Sequence, residues 1–319
     1  MAVDRPSQHE GGPLDRLSSL RERGKDPASK NVLNAWVNQA QPQVGLDTGR
    51  LGWLVASTVV VAALQRAIDE DGRSRFLLKG GTYLQHRLSW TGRPTKDIDG
   101  MIRGDIEQFL AALDEALRPP WGPLTLTRDP IEVIDTPGKI IKPRRFDVLV
   151  SLKGQVWRRI QVEIAPDEAA ASNEQDVLPA PSLHYFGLPT PDHLVGIAMR
   201  FQIAQKIHAC TDPHEPPGLR NDRARDTVDL LLLRDLLTAE QSPTLAVVRQ
   251  ACIALFESRA AEARALHRPE RAWPPTAIAH DHWPTDYAAA ATAGNTALSL
   301  EDAIAELNTW IQTIDAAHD

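Results

Sequence analysis

The sequence predicts an α/β fold in which a mixed sheet is followed by a helical C-terminal part. Three observations support this prediction. An apolar run, residues 76–79, enters a Gly-Gly turn and a short helix, and the chain returns as a strand carrying Asp97 and Asp99. Runs rich in β-branched residues follow over residues 124–164, which predicts further strands. Over residues 242–319 apolar residues recur at helical spacing instead.

The bulk properties are those of a globular protein with a substantial core. The chain has 319 residues, of which 42% are hydrophobic and 24% charged, and its formal net charge is −7. We expect a loosely ordered segment over residues 1–30, a sheet-containing domain over 31–190 and a helical domain over 191–319. The acidic balance argues against a protein that coats nucleic acid, but it does not exclude a local basic surface.

The cysteines and the N-terminal region predict a cytoplasmic protein without a membrane partner. Cys210 and Cys252 both fall in apolar helical contexts, where buried free thiols in a reducing compartment are expected. The first thirty residues lack the apolar core of a signal peptide. The longest apolar run, residues 53–68, is interrupted by polar residues and is too short to span a bilayer comfortably.

Prolines and glycines mark most of the predicted element ends. Helical spacing predicts helices over residues 31–41, 51–69, 82–89, 105–117 and 193–209, with another beginning near residue 223. Alternation predicts strands over residues 124–127, 131–135, 145–152 and 156–164, the last two joined by a turn at Lys153–Gly154. A proline-rich loop, residues 165–191, is predicted to connect the two domains.

Asp97 and Asp99 lie two residues apart on a predicted strand. Side chains alternate along a strand, so both carboxylates should project from one face while Ile98 enters the core. Adjacent carboxylates repel unless a cation lies between them, and Mg²⁺, with Mn²⁺ as an alternative, prefers such oxygen ligands. Taken alone, an Asp-x-Asp pattern is more often a solvated strand edge.

The turn before the short helix provides the second half of the candidate site. Gly80, Gly81 and Thr82 would bind the β- and γ-phosphates at a helix N-terminus, through backbone N–H groups and the Thr82 hydroxyl. We group Lys79 and Thr95 with them as nucleotide-binding residues. A Gly-Gly-Thr turn alone is usually only a tight connection, but beside a carboxylate pair it indicates nucleotide chemistry.

The Lys-Gly-Gly turn, the helix and the Arg-Pro-Thr-x-Asp-x-Asp segment ending at Asp99 resemble the AbiEii/AbiGii nucleotidyltransferase toxins, which include the MenT toxins. The resemblance extends from about Trp53 to Leu233. It implies a polymerase-β-like nucleotidyltransferase core over residues 31–190 with a helical C-terminal domain. It also implies an NTP co-substrate, a tRNA acceptor and a separately encoded antitoxin. Family members of known activity use GTP or CTP as the nucleotide donor.

A second motif supports the resemblance. Lys206 is followed, after a loop, by an Arg-Asp-x-x-Asp-Leu segment containing Arg225, Asp226 and Asp229. In this context we expect Lys206 to neutralise the β- and γ-phosphates. Asp226 would orient Lys206 or Arg225 through a salt bridge, or contact the nucleotide directly. Asp229 would bind nucleotide, cap the helix or pair with an arginine. In isolation, Lys206 could equally be a surface lysine with a buried stem.

The resemblance also implies a third carboxylate on a strand beside the aspartate pair. Glu163 is the first choice, as a third metal ligand or as the base that activates the attacking hydroxyl, and Asp147 is the rival. An acid on an alternating strand is otherwise simply part of its solvated face.

Seven basic residues with one acid between them give residues 139–159 a local charge of +6. On two adjacent strands, alternate members would form a basic face suited to a phosphate backbone, although basic residues also protect strand edges. The candidate RNA-binding residues are Lys139, Lys142, Arg144, Arg145, Arg158 and Arg159.

Two residues depart from the family pattern. Gly100 stands where an apolar residue usually follows the second aspartate, which could loosen the strand, and Gln205 stands where an acid usually precedes the motif lysine. His280 and His282 surround Asp281 on a loop, but adjacent loop positions rarely converge on one metal ion.

These observations predict a Mg²⁺-dependent nucleotidyltransferase toxin of a toxin–antitoxin or phage-defence system. It would transfer NMP from an NTP to an RNA hydroxyl, with tRNA favoured, and release pyrophosphate. The alternatives are transfer to a protein or small-molecule hydroxyl, or a catalytically silent nucleotide- or RNA-binding module.

Overall fold

A computed structural model describes residues 12–318 of the chain. Eight strands form one mixed sheet in the order β3-β5-β6-β2-β1-β8-β7, with β4 beside β5. The strands are β1 Phe76–Lys79, β2 Asp97–Ile102, β3 Leu124–Arg128, β4 Glu132–Val133, β5 Arg144–Leu152, β6 Gln155–Pro166, β7 Gln175–Leu178 and β8 Leu194–Ile197. Strand β2 is antiparallel to β1 and parallel to β6.

Ten α-helices accompany this sheet in the described part of the chain. They are α1 Pro13–Ser18, α2 Lys30–Val44, α3 Thr48–Leu64, α4 Gly80–Arg87, α5 Ile106–Leu117, α6 Met199–Cys210, α7 Ala224–Glu240, α8 Leu245–Ala265, α9 Trp283–Ala293 and α10 Leu300–Asp315. The mixed sheet and the run of C-terminal helices confirm the predicted fold class.

The core lies where α3 and α5 cover one face of the sheet. Helix α3 is buried along almost its whole length, because its sequence is apolar on every side. Ile98 of β2 projects into this core and is fully buried. The neighbouring carboxylates of Asp97 and Asp99 are only partly buried, as the alternation predicts, and mark the opposite face.

Gly100 does not loosen β2, as the sequence suggested it could. A Cβ at this position would lie 2.2 Å from Cε2 of Phe76 on the adjacent strand β1. The ring of Phe76 fills that space and is itself fully buried. The missing side chain is therefore replaced by a cross-strand neighbour, and β2 continues to Ile102.

Residues 194–197 form a strand, so the helix predicted over residues 193–209 is wrong at its beginning. Strand β8 pairs with β1 at Leu78 and Gly196 and with β7 along its full length. Gly196 permits this contact, because a Cβ there would lie 2.7 Å from the Tyr83 ring. Tertiary pairing outweighs local helical spacing here. The sheet thus gains a strand from beyond residue 190, where the predicted domain boundary stays a prediction.

Other element ends also differ from the prediction. Strand β7 interrupts the predicted loop over residues 165–191, and the strand predicted over residues 131–135 shrinks to β4. Helix α2 continues past Pro42 to a left-handed cap at Gly45. Helix α1 falls within the segment predicted to be loosely ordered, and it is held by the buried Leu14 and Leu17. Residues 1–11 of that segment lie outside the described residues.

No single helix among residues 12–318 is long and apolar enough to cross a membrane. Helices α2 and α3 pass that test of length and composition only as a pair, bent by 111°.

Candidate active site

Four adjacent strands bring charged residues into one line across the open face of the sheet. Lys79 pairs in register with Asp99, Asp99 with Glu163, and Glu163 with Arg145. Partners in register share a face, so the line reads cation, acid, acid, cation. We call these four residues the charged row. Asp97 lies two residues from Asp99 on the same face of β2.

The two aspartates carry more negative charge than their surroundings neutralise. Burial raises the pKa of Asp99 to about 6, and Glu163 adds to this rise while Lys79 opposes it. Burial and the neighbouring Glu163 also raise the pKa of Asp97. A raised carboxyl pKa means that the ionised form is disfavoured, so a cation bound between these groups would be stabilised.

The carboxylate pair fits a hard divalent cation only if other ligands come from outside the chain. Among residues 12–318 no group of three His, Cys, Asp or Glu side chains has the spacing of a metal site. The predicted third ligand, Glu163, accepts hydrogen bonds from Arg145 at 2.8 and 2.6 Å and from Gln161 at 3.2 Å, all on Oε1. Asp97 and Asp99 could hold Mg²⁺ that takes its remaining ligands from water and phosphate oxygens.

The rival acid, Asp147, lies one strand further from the aspartate pair. It pairs in register with Gln161, which in turn pairs with Asp97. Its carboxylate accepts a hydrogen bond from Arg159 at 2.9 Å. Glu163, which lies directly beside Asp99, is therefore the better placed of the two.

The glycine turn brings backbone directly against the aspartate pair. Gly80 has φ of +66°, and a Cβ there would lie 2.3 Å from Oδ2 of Asp99. A Cβ on Gly81 would lie 3.1 Å from Cβ of the half-buried Thr95. The N-terminus of α4, with its N–H groups, consequently lies beside Asp99, as the phosphate-binding hypothesis requires.

Thr82 has a structural role that the sequence did not predict. Its hydroxyl donates a hydrogen bond to the backbone oxygen of Asp97 at 2.8 Å, and the side chain is fully buried. The expected donation from this hydroxyl to phosphate is therefore corrected: Thr82 joins α4 to β2 and holds the second strand against the turn.

The second motif forms a buried ionic network on α6 and α7. Lys206 Nζ donates to Oδ1 of Asp226 at 2.8 Å and to Oδ2 of Asp229 at 2.6 Å. Arg93 binds both oxygens of Asp229, each at 2.7 Å. Asp229 thus pairs with two cations, one of the three roles the sequence allowed. We call these four residues the helical network.

Contacts within this network favour the ionised forms of Lys206 and Asp229. Burial alone would lower the pKa of Lys206, but Asp226 and Asp229 outweigh it and raise that pKa. Burial alone would raise the pKa of Asp229, but Lys206 and Arg93 lower it. Lys206 uses two of its three N–H donors here. Its charge also opposes the rise in the pKa of Asp99, so the network and the charged row act on one another.

Two residues of the site were not singled out from the sequence. Arg93 opens the Arg-Pro-Thr segment, and its position there was the available signal. Gln202 lies one turn before Lys206 on α6, and its Oε1 accepts a hydrogen bond from the Gly80 N–H at 3.1 Å. Its buried Nε2 has no hydrogen-bond partner among the described residues. No sequence pattern distinguished this glutamine.

An open cleft of about 450 Å³ adjoins the helical network. Arg225, a predicted nucleotide-binding residue, lies in its wall 4.0 Å from Asp286. Arg223 lies 3.9 Å from Asp226, so neither arginine has a close ion pair at these contacts. We call this the arginine cleft. It is lined by Arg93, Arg220, Asp222, Arg223, Arg225, Asp226 and Asp286.

The predicted basic face over residues 139–159 does not form as one surface. Arg158 projects toward α3, where a Cβ on Gly52 would lie 2.5 Å from its guanidinium, whereas Arg159 occupies the opposite face. The candidate residues other than Arg158 already form ion pairs with acids of this chain. Lys139 pairs with Glu168 and Glu262, Lys142 with Asp135, Arg144 with Glu107, Arg145 with Glu163, and Arg159 with Asp129 and Asp147.

A glycine turn against a carboxylate pair, with a lysine network beside it, is the arrangement expected of an enzyme that transfers nucleotides. The family model described as nucleotidyl transferase AbiEii toxin of type IV toxin–antitoxin systems matches residues 62–311, more than half of the chain. The chain therefore belongs to the AbiEii family and is a nucleotidyltransferase, which confirms the predicted family and enzyme class. Membership implies an NTP substrate and an antitoxin partner.

One similar solved structure is MenT4, a nucleotidyltransferase toxin from Mycobacterium tuberculosis H37Rv. It shares 17% sequence identity with this chain, and the alignment covers 90% of this chain and 97% of that one with a TM-score of 0.46. Among curated proteins, none has a significant match to the sequence.

Proposed function

We propose that the chain transfers NMP from an NTP to an RNA hydroxyl, with tRNA as the acceptor, in a reaction that requires Mg²⁺. The observation that carries this proposal is the pair Asp97 and Asp99, whose pKa values are raised beside the glycine turn at Gly80. Carboxylates with raised pKa values next to a helix N-terminus suit a divalent cation and a polyphosphate together.

Each residue contributes a separate part of the chemistry. Asp97 and Asp99 would hold Mg²⁺, which when bound neutralises charge on the phosphates and on the attacking oxygen. The backbone of Gly80 and Gly81 would bind phosphate oxygens, for which the Gly80 N–H would exchange its bond to Gln202 Oε1 for one to phosphate. Lys206, oriented by Asp226 and Asp229, would donate its remaining N–H to the phosphate chain.

Glu163 would accept the proton of the attacking hydroxyl. Arg145 and Gln161 bind only its Oε1, and we assign the proton transfer to Oε2. The hydroxyl oxygen forms a bond to the α-phosphorus, and the bond from that phosphorus to the β-phosphate oxygen breaks. Pyrophosphate then leaves with the electron pair of the broken bond. As a third metal ligand Glu163 would also use Oε2, because Arg145 and Gln161 bind Oε1.

The arginine cleft is our proposed acceptor surface, in place of the strands over residues 139–159. The side chains of Arg220, Arg223 and Arg225 are about three-fifths exposed, and Arg223 and Arg225 have only distant acidic partners. Exposed guanidinium groups bind phosphate well. Transfer to a cationic small molecule would favour an acidic cleft, whereas this one has more arginines than aspartates. The buried thiols of Cys210 and Cys252 agree with a cytoplasmic protein.

The donor and the acceptor class can be tested together. Purified protein is incubated with total tRNA, Mg²⁺ and each labelled NTP in turn, with EDTA as the metal control. We expect label in the RNA with a restricted set of NTPs and no transfer in EDTA. Label that appears only in protein or in small molecules would refute the RNA acceptor. NTP binding without pyrophosphate release would indicate a silent binding module.

The acceptor surface has its own test. Replacing Arg220, Arg223 and Arg225 together by glutamine should weaken tRNA binding at least tenfold and flatten its salt dependence, because phosphate contacts are lost. Arg118→Gln, at an exposed position on α5's C-terminal cap, is the matched control and should change neither. Unchanged RNA affinity in the triple variant would refute this surface.

A further inference from the structure

A glutamine of α6 caps the glycine turn, and half of its amide has no partner. Gln202 Oε1 accepts a hydrogen bond from the Gly80 N–H at 3.1 Å. Since a backbone N–H can only donate, the atom that faces Gly80 must be the amide oxygen, which fixes the orientation of the amide. The side chain is only 2% exposed, and its Nε2 has no hydrogen-bond partner among residues 12–318. Gln202 therefore brings a buried, unused donor to the turn.

An unused donor at this depth is unfavourable, and a helix cap does not require it. Burying an N–H group without an acceptor loses its hydrogen bonds to water. The cap itself needs only Oε1. Because Oε1 and Nε2 share one planar amide, Nε2 also lies beside the N-terminus of α4, where the helix dipole favours an anion. The position suits a negatively charged acceptor that comes from outside the chain.

The turn lacks the side-chain donor that the sequence predicted for it. The Thr82 hydroxyl donates to the backbone oxygen of Asp97 at 2.8 Å and is therefore occupied. A side-chain donor to a phosphate at Gly80 would then come from another element. Gln202 supplies one from α6, one helical turn before Lys206, which keeps one N–H for the phosphate chain. The same helix thus offers a neutral donor and a charged one.

The amide of Gln202 can change from acceptor to donor without a movement of its helix. The terminal torsion of a glutamine is broad and roughly two-fold, so a rotation of the amide exchanges the positions of Oε1 and Nε2. That rotation breaks the hydrogen bond between Oε1 and the Gly80 N–H. A phosphate oxygen that binds the Gly80 N–H replaces this bond, and the phosphate can accept a second bond from Nε2.

We propose that Gln202 is a phosphate-binding residue whose amide reverses when the nucleotide binds. In the free protein Oε1 caps the Gly80 N–H. When the polyphosphate arrives, one of its oxygens replaces Oε1, and Nε2 turns to donate to the same phosphate. The proposal rests on the proposed nucleotidyl transfer only for the identity of the polyphosphate. Gln202 thus satisfies the turn in the free enzyme and the phosphate in the complex.

A glutamine that only caps the turn predicts the opposite effect of its removal. As a cap it competes with phosphate for the Gly80 N–H, so an apolar side chain at this position should tighten phosphate binding. As a phosphate ligand it contributes a hydrogen bond to a charged acceptor, which is about twice as strong as the neutral bond that it gives up. Removing Gln202 should then weaken phosphate binding.

The first test is calorimetric titration of the full-length protein with inorganic tripolyphosphate in the presence of Mg²⁺. We expect Gln202→Met, and Gln202→Leu as a second variant, to bind about threefold more weakly than the parent. Gln205→Met is the matched control, because that glutamine is half-buried on the same helix and its Nε2 lies 3.5 Å from Glu168. Its affinity should equal that of the parent. Thermal unfolding of each variant establishes that it is folded.

The second test observes the amide of the parent protein directly by NMR. Protein labelled with ¹⁵N in its glutamine side chains is titrated with the same tripolyphosphate, and the Gln202 resonance is identified by its loss in the Gln202 variants. We expect the amide protons of Gln202 to shift downfield, because Nε2 acquires a charged acceptor. The side-chain resonance of Gln205 should stay in place.

Equal or tighter binding in the folded Gln202 variants would overturn the proposal. A Gln202 resonance that stays in place at saturation, or no binding of tripolyphosphate to the parent, would do the same. Both tests are independent of transfer. If affinity and resonance change as expected while no NTP supports transfer, the phosphate ligand stands and the proposed function fails. If transfer occurs and neither changes, the proposed function stands and the role of Gln202 fails.

Discussion

Two aspartates, Asp99 on β2 and Asp229 on α7, show how differently one residue type can be placed in this molecule. Both are carboxylates near cations, but Asp99 is half-buried and Asp229 is fully buried. Burial raises the pKa of Asp99 to about 6, whereas Lys206 and Arg93 overcome burial and lower the pKa of Asp229. Asp229 accepts three charge-assisted hydrogen bonds, and Asp99 lies between one lysine and a second acid.

This difference in pKa distinguishes Asp229, whose charge has a structural role, from Asp99, whose charge has a functional one. The charge of Asp229 is compensated inside the chain, so its free energy is already favourable in the free protein. The charge of Asp99 is not, and it becomes favourable only when a cation arrives from outside. A buried acid with a raised pKa is therefore the better guide to where a ligand binds.

Asp99→Asn should have the largest effect, lowering activity while raising stability. We expect nucleotidyl transfer to fall at least about 1000-fold, because the cation loses a ligand. At pH 8, above the pKa of about 6, the neutral amide removes a desolvated charge, so the unfolding temperature without metal should rise. Transfer assays and thermal unfolding measure the two effects. Asp71→Asn, at an exposed surface acid, should change neither.

Asp229→Asn should show the opposite effect on stability. It leaves Lys206 and Arg93 short of negative charge in a buried site, which costs about 3–5 kcal/mol of unfolding free energy. Urea unfolding measures this loss. Asp235→Asn on the same helix is the control. That side chain is exposed and pairs with Arg234, so the substitution should cost less than about 1 kcal/mol. Equal losses in the two variants would contradict the comparison.

A pair of glycine substitutions tests the turn beside Asp99. Gly80→Ala puts a Cβ 2.3 Å from the Asp99 carboxylate at φ of +66°, so we expect a loss of about 2–3 kcal/mol together with loss of transfer. Gly154→Ala has a similar φ of +76° in the β5–β6 turn but meets nothing within 4 Å. Its cost should be about 1 kcal/mol, with transfer retained. Chemical unfolding measures the stability of both glycine variants, and transfer assays measure their activity.

His86 extends the comparison to a buried group without a hydrogen-bond partner in the described part of the chain. Burial lowers its pKa to about 4, and neither ring nitrogen has a hydrogen-bond partner among residues 12–318. Between pH 6.5 and 4 only the unfolded chain takes up this proton, so stability falls as pH falls.

His86→Leu should therefore reduce the stability lost between pH 7.5 and pH 5 by about 2 kcal/mol. Urea unfolding at the two pH values measures the change, whatever the absolute stability of the variant. His193→Gln, at an exposed position, should keep the slope of the parent. An unchanged slope in His86→Leu would show that His86 takes up its proton in the folded protein.

The sequence predicted what depends on neighbours along the chain. Alternation on β2 was enough to place Asp97 and Asp99 on one face and Ile98 in the core. It could not predict which strands lie side by side. The row that joins Lys79, Asp99 and Glu163 exists only because β2 pairs with both β1 and β6.

The errors have the same physical origin. The residues of β8 have helical spacing, and only pairing with β1 makes them a strand. The basic residues over 139–159 have a high local charge, but acids from distant segments, such as Glu107 and Glu262, neutralise it. The Thr82 hydroxyl could not be assigned until the backbone of Asp97 was seen beside it. Long-range partners decide each of these cases.

Helix α6 sets a distance within the enzyme. Gln202, bound to the Gly80 N–H, and Lys206, bound to the α7 aspartates, are four residues apart and lie on one face, about 6 Å along the helix axis. The glycine turn and the lysine are thus both positioned by helix α6. A binding partner that rotated or shifted helix α6 would displace the glycine turn and Lys206 together, without contacting Asp97 or Asp99 on β2.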